Sequence, residues 1–206
     1  MSRQHTFRRA AYSTLLLALC LGMFACSAQN TAQQPSPSPT ILPNPTPTST
    51  SNISNQVHPS RLLIPALQVD APVENVGITS NGDLATPTHD PWEGVGWYAN
   101  GAYPGTKGSS VIDGHLDRPG GSPAVFWFLH NLHAGDTVEV KESNEKILHF
   151  RVTDVEFYAP QSAPLQQIFG DSSGKFLNLI TCAGDWIPSQ KQTTLRLVVY
   201  TSLISS

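Results

Sequence analysis

The chain has 206 residues and a formal net charge of -3, a length that fits one ordinary domain with accessory segments. Its Lys and Arg residues form no stripe of the kind that follows a phosphate backbone, which argues against nucleic acid as a partner.

The N-terminus reads as an export signal. Arg3, Arg8 and Arg9 make a basic start, and an apolar run follows from Ala10 to Cys26. Three fates are open for this segment, residues 1–28. It stays as a signal anchor, since about 17–25 apolar residues span a bilayer. Or Cys26 is lipidated after cleavage, because Met23-Phe24-Ala25-Cys26 resembles a bacterial lipobox. Or ordinary cleavage follows Ala28. Each fate puts the rest of the chain outside the cytoplasm, and the first two tether it to the membrane.

Residues 29–59 read as a disordered linker. No charged side chain occurs from Ser27 to Pro59, and Pro35, Pro37, Pro39, Pro43, Pro45 and Pro47 recur at short spacing. Such a stretch favours extended polyproline II, about 3.1 Å per residue, and spaces a domain tens of ångströms from a surface.

Residues 60–206 alternate apolar and polar positions and are long enough to bury a core. Arg61–Ile64 and Val69–Val76 read as short strands interrupted by Pro65 and Pro72, and Asn81-Gly82 as a turn. Val95–Tyr98 and Ser109–His115 read as further strands, the second apolar enough to be mostly buried. Ala124–Leu132 is the best short-helix candidate. Thr137–Glu142 and Ile147–Tyr158 alternate as half-buried strands do. Leu165–Phe169 reads as one helical turn. Phe176–Cys182 and Thr193–Leu203 are the last strands, with Ala183–Pro188 as a loop between them. Many short strands with Gly/Pro turns and little helix imply a mainly β fold, a closed barrel or a sandwich.

Of three cysteines, Cys20 and Cys26 lie in the targeting segment, so Cys182 is the one thiol of the domain and has no intramolecular disulfide partner. A buried, inert thiol is the bland alternative to a reactive one. Period-two alternation puts Leu177, Leu179 and Thr181 on one strand face and Asn178, Ile180 and Cys182 on the other. Arg196 shares a face with Thr194, Val198 and Tyr200. If the last two strands pair antiparallel, Cys182 and Arg196 meet. His115 ends another strand. A thiol attacks as thiolate and needs a proton partner, which an imidazole supplies. An arginine holds carbonyl oxygens or a developing oxyanion with rigid donors.

Arg118 and Arg151 compete for the arginine role. Asp113 and Asp117 flank the histidine and are placed to orient it, although aspartates there are often turn formers. Thr181 is placed to hydrogen-bond near the thiol or simply suits a strand, and Thr181 and Asp113 are candidates to contact substrate or to support the residues that do. His89 is a candidate for the cleft wall. No Cys/His spacing resembles a zinc site and no cofactor motif is present, and the signature of papain-like proteases around the cysteine is absent.

The chain resembles the sortase family, and within it the class F members. The segments that carry the resemblance are Ile112-Asp113-Gly114-His115, Asn178-Leu179-Ile180-Thr181-Cys182 and Thr194-Leu195-Arg196-Leu197-Val198-Val199-Tyr200. Arg61–Ala66, Gly96-Trp97-Tyr98, Pro104-Gly105 and Leu132–Asp136 add to it, so that it covers about residues 60–204. Asn178 stands where the family usually has Thr, and Gln190–Thr194 lacks the aromatic and Asn often seen in class F. The resemblance implies a closed eight-stranded barrel with catalytic Cys182, His115 and Arg196. It implies cleavage of a C-terminal sorting motif similar to Leu-Pro-x-Thr-Gly on surface proteins, through a thioacyl intermediate. The acyl group then passes to an amine acceptor, a cell-wall peptide or a pilin lysine. A catalytically inactive peptide- or wall-binding barrel and a plain cysteine hydrolase are the alternatives.

Overall fold

The structure is a computed structural model that describes residues 56–205. The export signal, Cys26 and the linker as far as residue 55 lie outside the described residues.

Eight strands close into a barrel in the order β1-β2-β3-β4-β7-β8-β6-β5. They are β1 (Pro59–Ile64), β2 (Val69–Val76), β3 (Val95–Tyr98), β4 (Gly108–Asp113), β5 (Thr137–Glu142), β6 (Ile147–Tyr158), β7 (Lys175–Ile187) and β8 (Gln192–Ser205). Most neighbours pair antiparallel, but β2 with β3 and β4 with β7 are parallel. The ladder begins at Pro59, one residue inside the expected linker. Among the described residues no helix is long and apolar enough to cross a membrane.

Strand alternation fills the barrel. On β5, Val138 and Val140 point inward, and on β6 Leu148, Phe150 and Val152 do so. They meet Leu62 and Ile64 of β1, Leu177 and Leu179 of β7, and Leu197 and Val199 of β8. Burying each such side chain is worth about 1.5–3 kcal/mol, so a one-residue slip in any strand would expose several at once.

β4 is buried at all six positions, unlike a strand with one solvated face. The reason is a second layer. The short helix α1 (Leu165–Gly170) lies against the outside of the barrel, where its Ile168 joins Val111, Val198 and Tyr200 in a second apolar cluster. Buried Asn178 ties this layer down by donating from Nδ2 to the Ile168 carbonyl at 2.6 Å.

Two expectations fail. Ala124–Leu132 is a run of turns ending in a 3-10 helix at Leu129–Asn131. Its backbone bonds elsewhere: the N–H groups of Ala124, Val125 and Phe126 donate to the carbonyls of Leu116, Trp92 and His115. And Ala183–Ile187 is strand, because β7 runs on through a bulge between Ala183 and Trp186 while still paired with β8.

Candidate active site

Cys182 lies on β7, which is flanked by β8 on one side and β4 on the other. On the β8 side the antiparallel register sets Cys182 directly opposite Arg196. On the β4 side the parallel register pairs Asp113 with Ile180. Two bonds carry that register past the end of β4. The Gly114 N–H donates to the Ile180 carbonyl at 3.2 Å, and Thr181 Oγ1 donates to the Gly114 carbonyl at 2.7 Å. The same offset brings His115 to the level of Cys182. His115 therefore follows the strand rather than ending it.

Gly114 is required by packing. A Cβ there would come within 2.7 Å of the Phe126 ring and 2.8 Å of Val125. Only a bare Cα lets the Val125-Phe126 turn close over the chain and bond the His115 carbonyl from the Phe126 N–H at 3.0 Å.

The His115 ring is half-buried and packs on Trp92, with ring centroids 5.1 Å apart at 44°. Burial holds its pKa below the ordinary value, an effect that the nearby Asp117 carboxylate partly opposes. That shift favours the neutral imidazole, the form that accepts a proton from a thiol.

Cys182 is a free, half-buried thiol. It lines a groove of about 340 Å³ together with Asp113, Ile180, Thr181 and Arg196. The opposite walls come from Asp83, Leu84 and Thr86 of the β2–β3 connection and from Gln190–Gln192 of the β7–β8 turn. His115 is not one of the lining residues.

Arg196 Nη1 donates to Thr193 Oγ1 at 2.9 Å and to the Leu195 carbonyl at 3.0 Å, which lays the guanidinium along β8. Among the described residues no carboxylate pairs with it. Its two competitors stand elsewhere: Arg118 is ion-paired with Glu93, and Arg151 is exposed on β6.

Thr181 is buried, and its hydroxyl is spent on the Gly114 carbonyl. Asp113 is buried on β4 and lines the groove, and burial pushes its pKa up to about 7. His89 does not reach this groove. It lines a separate hollow of about 510 Å³ beside Glu74, whose carboxylate receives the backbone N–H groups of Thr88 and His89 and is drawn down to about 2, foremost by the His89 N–H. Among the described residues no group of three His, Cys, Asp or Glu is arranged to hold a metal ion.

Sequence reasoning missed Trp92 and the wall from Asp83 to Thr86. Both sit in a connection without periodicity, and the only local signal was the Asn81-Gly82 turn, which here closes a small Ile78–Leu84 bridge.

Residues 62–204 match the sortase family over its sortase domain. No curated protein matches the chain. Among solved structures it is similar to a lid mutant of sortase A from Corynebacterium diphtheriae, at 19% identity, 72% of this chain and 70% of that one, TM-score 0.56. Sortase C-1 from Actinomyces oris is similar at 23% identity, with 71% and 73% covered and TM-score 0.55. A sortase D5 transpeptidase from Clostridium perfringens is similar at 19%, with 72% and 79% covered and TM-score 0.52. At these identities the likeness is one of fold.

Proposed function

The chain belongs to the sortase family of cysteine transpeptidases, and from that premise we propose that it is a surface-acting sortase in which Cys182, His115 and Arg196 carry the reaction. Within the family the resemblance favours class F. The substrate is a surface protein with a C-terminal motif similar to Leu-Pro-x-Thr-Gly. The N-terminal segment exports the domain and tethers it, through a signal anchor or a lipid on Cys26, and residues 29–58 act as the spacer.

In the first half-reaction the Cys182 proton passes to His115 and the sulfur adds to the scissile carbonyl carbon. Arg196 donates to the oxygen that gains negative charge. The C–N bond then breaks, His115 returns the proton to the leaving amine, and a thioester remains on Cys182. An acceptor amine gives up a proton to His115, attacks the thioester and displaces the sulfur, which recovers a proton.

The observation that supports this reading is one of register. β7 lies between β4 and β8: Cys182 is the cross-strand partner of Arg196, and the β4–β7 offset, carried on through Gly114, runs to His115 opposite Cys182, across segments up to 81 positions apart in sequence.

The test is to incubate residues 58–206 with a library of sorting-type peptides and a small primary amine, followed by mass spectrometry. The expected result is a thioester mass on Cys182 and an amide of the acyl fragment with the amine. Peptide binding without any covalent product would overturn the enzymatic assignment, and hydrolysis that added amine does not divert would reduce it to a hydrolase.

A further inference from the structure

Asp113 is the one buried side-chain polar group among the described residues with an oxygen, Oδ1, that is enclosed and has no hydrogen-bond partner. It does not sit in a random place. The residue is 8% exposed, and it lines the groove that holds Cys182 and Arg196. The protein makes room for it. Gly96 of β3 is the cross-strand partner of Asp113, and a Cβ at that position would lie 2.5 Å from Oδ1. An uncompensated buried carboxyl destabilises a fold, so its presence at a groove floor points to a use.

We propose that Asp113 is a substrate-binding residue, donating a hydrogen bond from its carboxyl group to a main-chain carbonyl of the acyl-donor peptide. The proposal rests on the reading of Cys182 as nucleophile. Register gives the location: Asp113 pairs with Ile180, two residues before Cys182 on the same face of β7. Two strand residues are about 6.6 Å, so the contact falls about two peptide residues from the scissile bond.

The chemistry follows from the surroundings. With no donor aimed at Oδ1, an ionised carboxylate would be poorly stabilised, and burial keeps the proton on up to about pH 7. Oδ1 is enclosed against Gly96, so the O–H available to the groove is one carried on Oδ2, and a peptide carbonyl is the acceptor that an extended chain offers. Deprotonation turns the donor into an acceptor and removes the bond. The groups around it are few. β3 presents only Gly96. β7 presents Ile180, Thr181 and Cys182. β8 contributes Arg196, the facing walls contribute Asp83 and Lys191, and His115 follows on its own strand.

The experiment compares the wild-type full-length chain in detergent with Asp113→Asn and Asp113→Ala, using a fluorogenic peptide containing Leu-Pro-Ala-Thr-Gly. KM and kcat are measured from pH 6 to 8.5. Loss of one neutral hydrogen bond corresponds to a change of about fivefold to tenfold. We expect Asp113→Ala to raise KM by that factor at pH 6 with kcat changed less. The wild-type KM should rise by a similar factor between pH 6 and 8.5, whereas Asp113→Asn, which keeps an N–H donor and cannot titrate, should have a KM independent of pH over that range. A KM for Asp113→Ala within twofold of wild type, or the same KM–pH slope in Asp113→Asn and wild type, would overturn the proposal. No thioester on Cys182 of the wild type would instead overturn the catalytic reading beneath it.

Discussion

Replacing Asp113 by Asn gives a stability prediction that needs no substrate. The carboxyl has an ordinary pKa of 3.8, raised by burial to about 7 in the folded chain, with its own backbone N–H opposing the rise. Between those values the unfolded chain has released the proton and the folded chain still holds it. Proton binding therefore favours the folded state, the contribution is complete below pH 3.8, and it is lost as pH rises through 7. At 1.36 kcal/mol per pH unit the difference amounts to about 4 kcal/mol. Asn has no proton to lose, so its stability relative to wild type should climb by about 4 kcal/mol from pH 4 to pH 8. In melting temperature that corresponds to on the order of 10 °C for a domain of this size. Equilibrium urea unfolding at several pH values, with wild type and variant side by side, measures the gap directly. The His115 contribution is common to both proteins and cancels. A gap that stays constant within about 1 kcal/mol over that range would refute the argument, because it would mean that Asp113 is ionised in the folded state like any surface aspartate.

The remaining predictions concern catalysis and packing. Cys182→Ala should abolish thioester formation in the mass-spectrometric assay, and normal turnover by this variant would end the enzymatic reading. His115→Ala should lose about 10²- to 10⁴-fold in rate while circular dichroism remains that of the barrel. Arg196→Lys should lose about 10²-fold or more in kcat/KM, since a point charge cannot reproduce a planar guanidinium whose Nη1 is held by Thr193 and the Leu195 carbonyl and whose remaining donors are left for substrate. Gly114→Ala should lower both melting temperature and rate, because the new methyl group collides with Phe126 and Val125 and displaces the chain at His115. A structure of that variant with His115 unmoved would contradict the packing argument.

Local pattern carried a good deal of this fold. β5 and β6 run over the stretches that alternation marks, because one face of β5 and of β6 as far as Val152 is in the core and each second residue there must be apolar. The same alternation separated Leu177 and Leu179 from Cys182 on opposite faces, and in the barrel the first two are in the core while Cys182 lines the groove. It failed where distant backbone competes for local hydrogen bonds. Residues 124–132 have helical spacing, yet their N–H groups are taken by carbonyls at Trp92, His115 and Leu116. The stretch after Cys182 contains Gly184 and Pro188 and reads as loop, yet pairing with β8 extends the strand through it.

By itself the sequence determined the residue types available for acyl transfer in the barrel domain, one thiol, a histidine and an arginine in separate segments, and the two faces of the regularly alternating strands. Periodicity and chemistry are local properties, and a chain displays them before it folds. The tertiary structure alone decided that β7 lies between β4 and β8, that Trp92 covers His115, and that Asp113 is buried beside the thiol's groove. Those facts depend on which strands become neighbours and what lies over them, and no window of sequence contains both partners of such a contact.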